Sequence, residues 1–292
     1  MNLNVSIIIP SLNAPTIDAA IQSIHTQITS LCIVEIIVVG LDNSNLISYH
    51  PTVKFISTQK PVSAAVARNI GIKHAQSDWI IFIDADCVAE PRWLENLMNK
   101  SDTYQIIGGS VDIESKNYWT FADNLAMFHS FLPNKPTRLC TALPTLNLAI
   151  YKEVITSIGL MDEKFVLARG EDFDWTLRMH KAGYKLLFEP NAIVLHQPSR
   201  SSLSSLLKHS WKSGFSMSIV RQRYSDYYSG VSLLRYPIVL QSLAPIISFI
   251  LSIRICLTSG TLIASIKVWP AVLLAKLAWC LGAAFQAKIA KQ

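Results

Sequence analysis

The 292-residue sequence predicts an α/β fold with a doubly wound, mostly parallel sheet, followed by a C-terminal apolar helical segment suited to membrane association. Three observations carry that reading. Short β-branched runs, among them Val5–Ile9, Glu35–Val39 and Val53–Ser57, alternate with stretches of helical periodicity. The ends of these runs carry Pro, Gly, Asn and Asp, the residues of turns. After Tyr236 the composition changes: Pro237–Ile253 runs without a charge, and Val268–Ala287 is broken only by Lys276.

In order, Val5–Ile9 reads as a strand ended by Pro10, which removes a backbone donor. Ser11–Thr16 is a turn, and Ile17, Ile21, Ile24 and Ile28 share one face of a following helix. Glu35–Val39 is the second strand, with a loop over 40–44, and Val53–Ser57 is the third. Pro61 opens a helix whose Ala64, Ala65 and Ala67 allow close packing on a sheet. Ile80–Ile83, entered through Asp78 and Trp79, is a strand buried on both faces. Pro91 starts a helix with Trp93, Leu94 and Leu97 inward. Gly108-Gly109 is a turn or a point of close backbone approach, and 112–140 is irregular and aromatic, a wall on the substrate side with ordinary core as the alternative for most of its rings. Thr145–Ile150 returns to a strand; Gly170 with two carboxylates feeds a helix that stops at Gly183. Lys185–Glu189 and Ala192–Leu195 are short strands, closed by His196.

In doubly wound sheets ligands bind beyond the carboxyl ends of the strands, where Asn13, Asp42 and Asp86 fall, so residues 1–110 read as a nucleotide-binding half. Asp84 and Asp86, separated by one alanine, would share one face if the chain stays extended. Two such carboxylates suit Mg²⁺ or Mn²⁺ held jointly with nucleotide phosphates; the alternative is a solvated strand end. Glu171 and Asp172 form a second acidic pair, fit for proton transfer or for complementing a helix dipole. Asp174 and Arg178 read as an i,i+4 ion pair, and His25, His74, His180 and His209 receive no role.

The formal net charge of +6 suits anionic partners, but no motif of aromatic and basic interleaving points to nucleic acid. Five scattered cysteines give no metal or disulfide spacing and fit a reducing compartment. The first residues run into a strand without a basic leader, so no signal peptide is expected and the site should face the cytoplasm. Arg221, Arg223 and Arg235 precede the first apolar run and Lys288 and Lys291 follow the second, as in a hairpin with both ends cytoplasmic. Interfacial helices, or helices packed on the rest of the protein, are the alternatives. A G-x-G-x-x-G after the first strand is missing, which sets aside a nicotinamide-dependent dehydrogenase.

The order and spacing of these motifs resemble the family-2 glycosyltransferases of GT-A fold. The matching residues are Val5–Pro10 with Asn13, Glu35–Val39 with Asp42, and Ala67-Arg68-Asn69-Ile70-Gly71. Asp78–Asp86, Asn147, Gly159 with 162–165, Gly170–Trp175 with Arg178, 182–184 and 190–196 follow. The resemblance, over roughly residues 3–230, implies a domain over 1–230, with the nucleotide half at 1–110 and the acceptor and base half at 111–230; the apolar composition of 231–292 predicts the membrane hairpin. The resemblance implies that Pro10, Asn13 and Asp42 hold base and ribose, and that Arg68 sits near the nucleotide. Asp84 would face the ribose or metal, Asp86 would bind Mg²⁺ or Mn²⁺, and His196 would complete the metal site. Asp172 would be the general base, with Glu171 as the other candidate.

The activity so implied is inverting transfer from a nucleotide-sugar donor to a glycan or lipid-linked acceptor, on the cytoplasmic face of the cell membrane, in surface polysaccharide or glycolipid synthesis. A non-catalytic, membrane-attached binding or assembly subunit is the alternative. Gly40-Leu41 stands where relatives often carry acidic residues, Thr145-Leu146 where a Gly-containing pair is usual, and Trp175, expected in the core, where leucine is common.

Overall fold

The structure is a computed structural model that describes residues 3–27, 32–47, 50–113, 116–165, 169–260 and 262–291. It contains two compact units: Met1–Asp112 with Lys135–His196, and Ile113–Asn134 with Gln197–Gln292.

The first unit holds β1 (Leu3–Leu12), α1 (Ile17–His25), β2 (Cys32–Leu41), β3 (Val53–Ser57), α2 (Ala64–His74) and β4 (Trp79–Ile83). It continues with β5 (Cys87–Ala89), α3 (Trp93–Met98) and β6 (Ile106–Asp112). Helix α4 (Tyr118–Phe128) belongs to the second unit. The chain then returns with β7 (Arg138–Cys140), β8 (Asn147–Tyr151), α5 (Lys152–Ile158), α6 (Glu171–Lys181) and β9 (Leu186–His196). The strands form one sheet in the order β3-β2-β1-β4-β8-β6-β9-β5, with β7 also on β9. The parallel run β3-β2-β1-β4 is the half expected from the alternating pattern, and β8 enters antiparallel to β4. Strand β4 is buried at every position because both its faces are covered, and Phe82 meets Trp175 edge-on at 5.6 Å. Trp175 is wholly buried, a core residue.

Several local expectations are corrected. Strand β1 runs through Pro10 to Leu12; β4 pairs with it only as far as Ile8, so the missing N–H lies beyond the doubly paired stretch. Residues 112–140 are not irregular throughout: Asn117 accepts hydrogen bonds from the backbone N–H of Trp119 and Thr120, and the ring-rich segment after it is α4. Gly108-Gly109 is no turn but lies inside β6, at a register shift against β9. The two short strands expected over 185–195 are the single β9, which absorbs Pro190 at that same irregularity. Of the helix face proposed for α1, Ile17, Ile21 and Ile24 are buried, and Ile28 lies outside the described residues.

The second unit is helical: α4, α7 (Leu203–Arg223), α8 (Pro237–Thr258) and α9 (Leu262–Ile289), with 3₁₀ turns at Ser225–Tyr227 and Val231–Arg235. Ser202 caps α7 through a reciprocal bond with Ser205. Asp123 of α4 is buried between Arg200 Nε at 2.7 Å and His209 Nδ1 at 2.6 Å, a network that gives His209 a structural place. Leu234, Leu240, Ala283, Ala284 and Ala287 form a small core joining the α8 and α9 hairpin to the turn before it. Both helices are long and apolar enough to cross a membrane by length and composition.

Candidate active site

The site grows from the ends of four elements of the first unit. Helix α2, capped by Ser63, carries Arg68 on its buried face. Arg68 donates from Nη2 to Asp84 Oδ1 at 2.7 Å and from Nη1 to Glu171 Oε1 at 3.0 Å. One buried guanidinium thus joins the end of β4 to the first turn of α6, which lies 103 residues beyond Arg68. Burial acts to lower the Arg68 pKa, but the charges of Asp84, Glu171 and Asp172 overcome it and hold it above its ordinary value.

Gly170, in the left-handed region at φ 83°, turns the chain into α6 and sets Glu171 and Asp172 in its first turn. Glu171 is 3% exposed; burial, reinforced by the neighbouring Asp172 charge and opposed by Arg68, pushes its carboxyl up to about 7. Burial likewise raises the half-buried Asp172, against the pull of Arg68 and of backbone N–H groups. Asp172 Oδ1 accepts from Phe173 N–H at 2.8 Å. Glu171 Oε2 and Arg68 Nε are buried with no hydrogen-bond partner among the described residues, so the cluster has unused bonding capacity.

Strand β4 ends at Ile83, and Cys87 N–H closes a turn onto Asp84 O at 3.0 Å. The chain at 84–86 is therefore not extended, and the argument that alternation places both carboxylates on one face does not apply. Asp84 turns to Arg68, and Asp86 turns to His196, whose Nε2 lies 3.5 Å from Asp86 Oδ2. Antiparallel pairing of Cys87 with His196 brings β5 and the end of β9 together and makes that approach. Ligand atoms of Asp86, Cys87 and His196 lie within 4.8 Å of one another. A carboxylate with an imidazole fits a borderline divalent ion such as Mn²⁺, whereas the buried Cys87 thiol suits softer metals.

Farther along the sheet end, Asn13 and Asp42 knit two loops together. Asn13 N–H donates to Leu41 O at 2.9 Å, and Asn13 Oδ1 accepts from Asn43 N–H at 2.7 Å. Asp42 accepts from Leu46 and Ile47 N–H at 2.9 and 2.8 Å, so its two oxygens already hold a loop. Pro10 is half-buried in β1. Gly40 accounts for the departure noted before Asp42: its φ is 140°, and a Cβ there would lie 1.8 Å from Ser11 O. Sequence reasoning did not find the Arg68–Glu171 bond, since neither residue signals its distant partner. It named Asn147 as a matching residue but gave it no role; Asn147 donates to Ser110 O and Ala192 O and accepts from Trp93 Nε1.

A GT-A-type sheet with acidic residues at its strand ends defines the class as a glycosyltransferase, and the comparisons agree. The model of glycosyl transferase family 2 matches residues 6–153, half of the chain, and the chain belongs to that family. It is 24% identical over 207 residues to a pre-mycofactocin glycosyltransferase of Mycobacterium tuberculosis, covering 66% of this chain and 42% of that protein. It is 28% identical over 160 residues to the succinoglycan biosynthesis protein ExoM of Rhizobium meliloti, covering 51% and 50%. The chain thus spans half or less of the length of these curated relatives. Among solved structures, the mannosyltransferase PcManGT of Pyrobaculum calidifontis with GDP-Man and Mn²⁺ has a TM-score of 0.60 at 15% identity, covering 99% of this chain and 88% of that one. GalNAc-T7 with UDP, GalNAc and Mn²⁺ has a TM-score of 0.55 at 19% identity, covering 72% and 47%.

Proposed function

We propose that this glycosyltransferase moves a sugar from a nucleotide-sugar donor to a hydroxyl of a glycan or lipid-linked acceptor, by direct displacement with inversion. The observation that carries the reading is the arrangement around β4: Asp86 with His196 on one arm, and on the other Arg68 bonded to Asp84 and Glu171 with the Asp172 charge nearby. Asp86 and His196 would hold Mn²⁺ or Mg²⁺, with Asp84 beside them. A divalent ion there supplies charge to neutralise the diphosphate as the anomeric bond breaks. GDP-Man with Mn²⁺ in one named structural neighbour, and UDP, GalNAc and Mn²⁺ in the other, support this choice of donor and metal.

Asp172 is the proton acceptor in this scheme. It is half-buried, whereas Glu171 is closed in and held by Arg68, so Asp172 is the carboxylate an acceptor hydroxyl could reach. Its raised pKa moves it toward the range of an effective base at neutral pH. Arg68 orients the pair, and Pro10, Asn13 and Asp42 line the loops assigned to base and ribose. A role in surface polysaccharide or glycolipid assembly is supported by the named succinoglycan relative. We place catalysis in the first unit and assign residues 231–292 to membrane attachment at the cytoplasmic face, supported by the outward side chains of α8, among them Ile238, Ile246, Phe249 and Ile250.

The test is Asp172→Asn, which keeps shape but removes the proton acceptor. Sugar transfer should fall by about 10²–10⁴-fold, with nucleotide binding nearly unchanged. Near-parental turnover in a folded variant would transfer the role to Glu171 or remove it from this pair.

A further inference from the structure

The net charge is not spread through the chain. Residues 113–134 and 197–292 carry twelve Lys and Arg against three Asp and Glu, a net of +9, so the other unit is net acidic although the whole chain is +6. Of those three acids, Asp123 is committed to Arg200 and His209. Lys208 and Lys212, one turn apart on α7 and both exposed, have no carboxylate within ion-pair distance among the described residues.

Beside those lysines an apolar groove of about 480 Å³ opens along α7 and α9. Trp211 and the lysine stems form one wall, and Leu274, Leu277 and Leu281 the other. The two helices touch backbone to backbone just beyond it: a Cβ on Gly214 would lie 1.9 Å from Trp279 O, and one on Gly282 would lie 2.1 Å from Trp211 O. That contact fixes the groove at its closed end. A volume of this size suits a lipid-sized apolar ligand. A polar headgroup alone would leave the leucines wet, and an uncharged chain alone would leave the lysines unanswered.

We propose that the α7–α9 groove is a binding site for an anionic membrane phospholipid, with an acyl chain along Trp211 and the three leucines and the headgroup phosphate between Lys208 and Lys212. The site rests on the membrane attachment proposed above and gives it a headgroup preference. Charge complementarity selects this occupant. A second copy of the chain would bring another unit of +9 against this one, and a zwitterionic lipid such as phosphatidylcholine would bring its own cation along with its phosphate and so offset the attraction.

The test uses the full chain in non-ionic detergent micelles doped with dioleoylphosphatidylglycerol or dioleoylphosphatidylcholine, with retained lipid read by native mass spectrometry. The parent should retain the anionic lipid at least about tenfold better, and Lys208→Gln/Lys212→Gln should bring it down to the neutral-lipid level. Arg254→Gln/Lys288→Gln, which removes the same charge elsewhere in this unit, should change retention by less than about twofold. Equal losses in the two double variants would reduce the effect to general charge and overturn the site. So would equal retention of both lipids by the parent, or a dimer that the Lys208 and Lys212 changes dissociate. Flotation of the parent with phosphatidylcholine vesicles reports attachment separately, so a protein that floats but shows no headgroup preference loses the site and keeps the attachment.

Discussion

Replacing Arg68 by methionine isolates the electrostatics of the site. Arg68 is 4% exposed and is the cation bonded to both Asp84 and Glu171. Its removal strands a buried carboxylate at Glu171, a loss that costs about 3–5 kcal/mol when one member of a buried pair is deleted. Protons decide how much of that cost is felt. In the parent the Glu171 carboxyl is raised from 4.5 to about 7, which at about 1.4 kcal/mol per pH unit amounts to about 3 kcal/mol. Because the folded pKa lies above the unfolded one, the contribution of Glu171 is fully present below about 4.5 and lost as pH rises through about 7. Arg68 is what limits this rise, so Arg68→Met should push Glu171 higher still. The melting temperature of the variant should therefore fall about 6–20 °C below the parent at pH 8, at about 2–4 °C per kcal/mol, and much less at pH 5. Arg68→Met/Glu171→Gln should recover most of the pH 8 loss, because no carboxylate is then left unpaired at 171. Thermal melts of the parent and both variants at the two pH values are the assay. A melting gap independent of pH, or a double variant no more stable than the single one at pH 8, would refute the reasoning.

Gly40→Ala should lower stability by at least about 3 kcal/mol, since its Cβ meets Ser11 O and its φ is positive; parent-like yield and melting would contradict the reading of that loop. Calorimetry with UDP and GDP should show binding that strengthens with Mn²⁺ in the parent and loses that gain in Asp86→Ala and His196→Ala; a gain that survives both changes moves the metal elsewhere. Full-length protein should sediment with membranes, and its behaviour in alkaline carbonate reads the depth of attachment: retention means spanning helices, release means surface helices, and a protein soluble without detergent would end the membrane assignment.

The parallel half of the sheet was legible because the central stretches of β1, β2 and β4 are apolar on both faces, and such runs stand out against the polar turns between them. Helix α4 was not, because its many rings were read as a wall and the capping signal at Asn117 was not weighed. The strand through Pro10 was missed because a proline's cost depends on which neighbour a strand has at that point, and only pairing shows this. The acidic pairs were visible as motifs, but their partners were not. Asp84 and Asp86 look alike in sequence, yet a turn after Ile83 sends one to Arg68 and the other to His196.

That divergence sets how the site responds to change. Asp84 and Glu171 share one guanidinium, so neither can be altered without changing the field at the other, and their effects should not add. Asp86 and His196 are fixed instead by the pairing of β5 with β9, a backbone register that does not depend on Arg68. The acids on α6 are thus set by buried charge, and the Asp86–His196 arm by strand pairing. Burial raises the pKa of both Glu171 and Asp172, while the half-buried Asp86 is placed by the pairing of β5 with β9. Lowering the pH through about 7 should accordingly protonate Glu171 and loosen its bond to Arg68 on the α6 side.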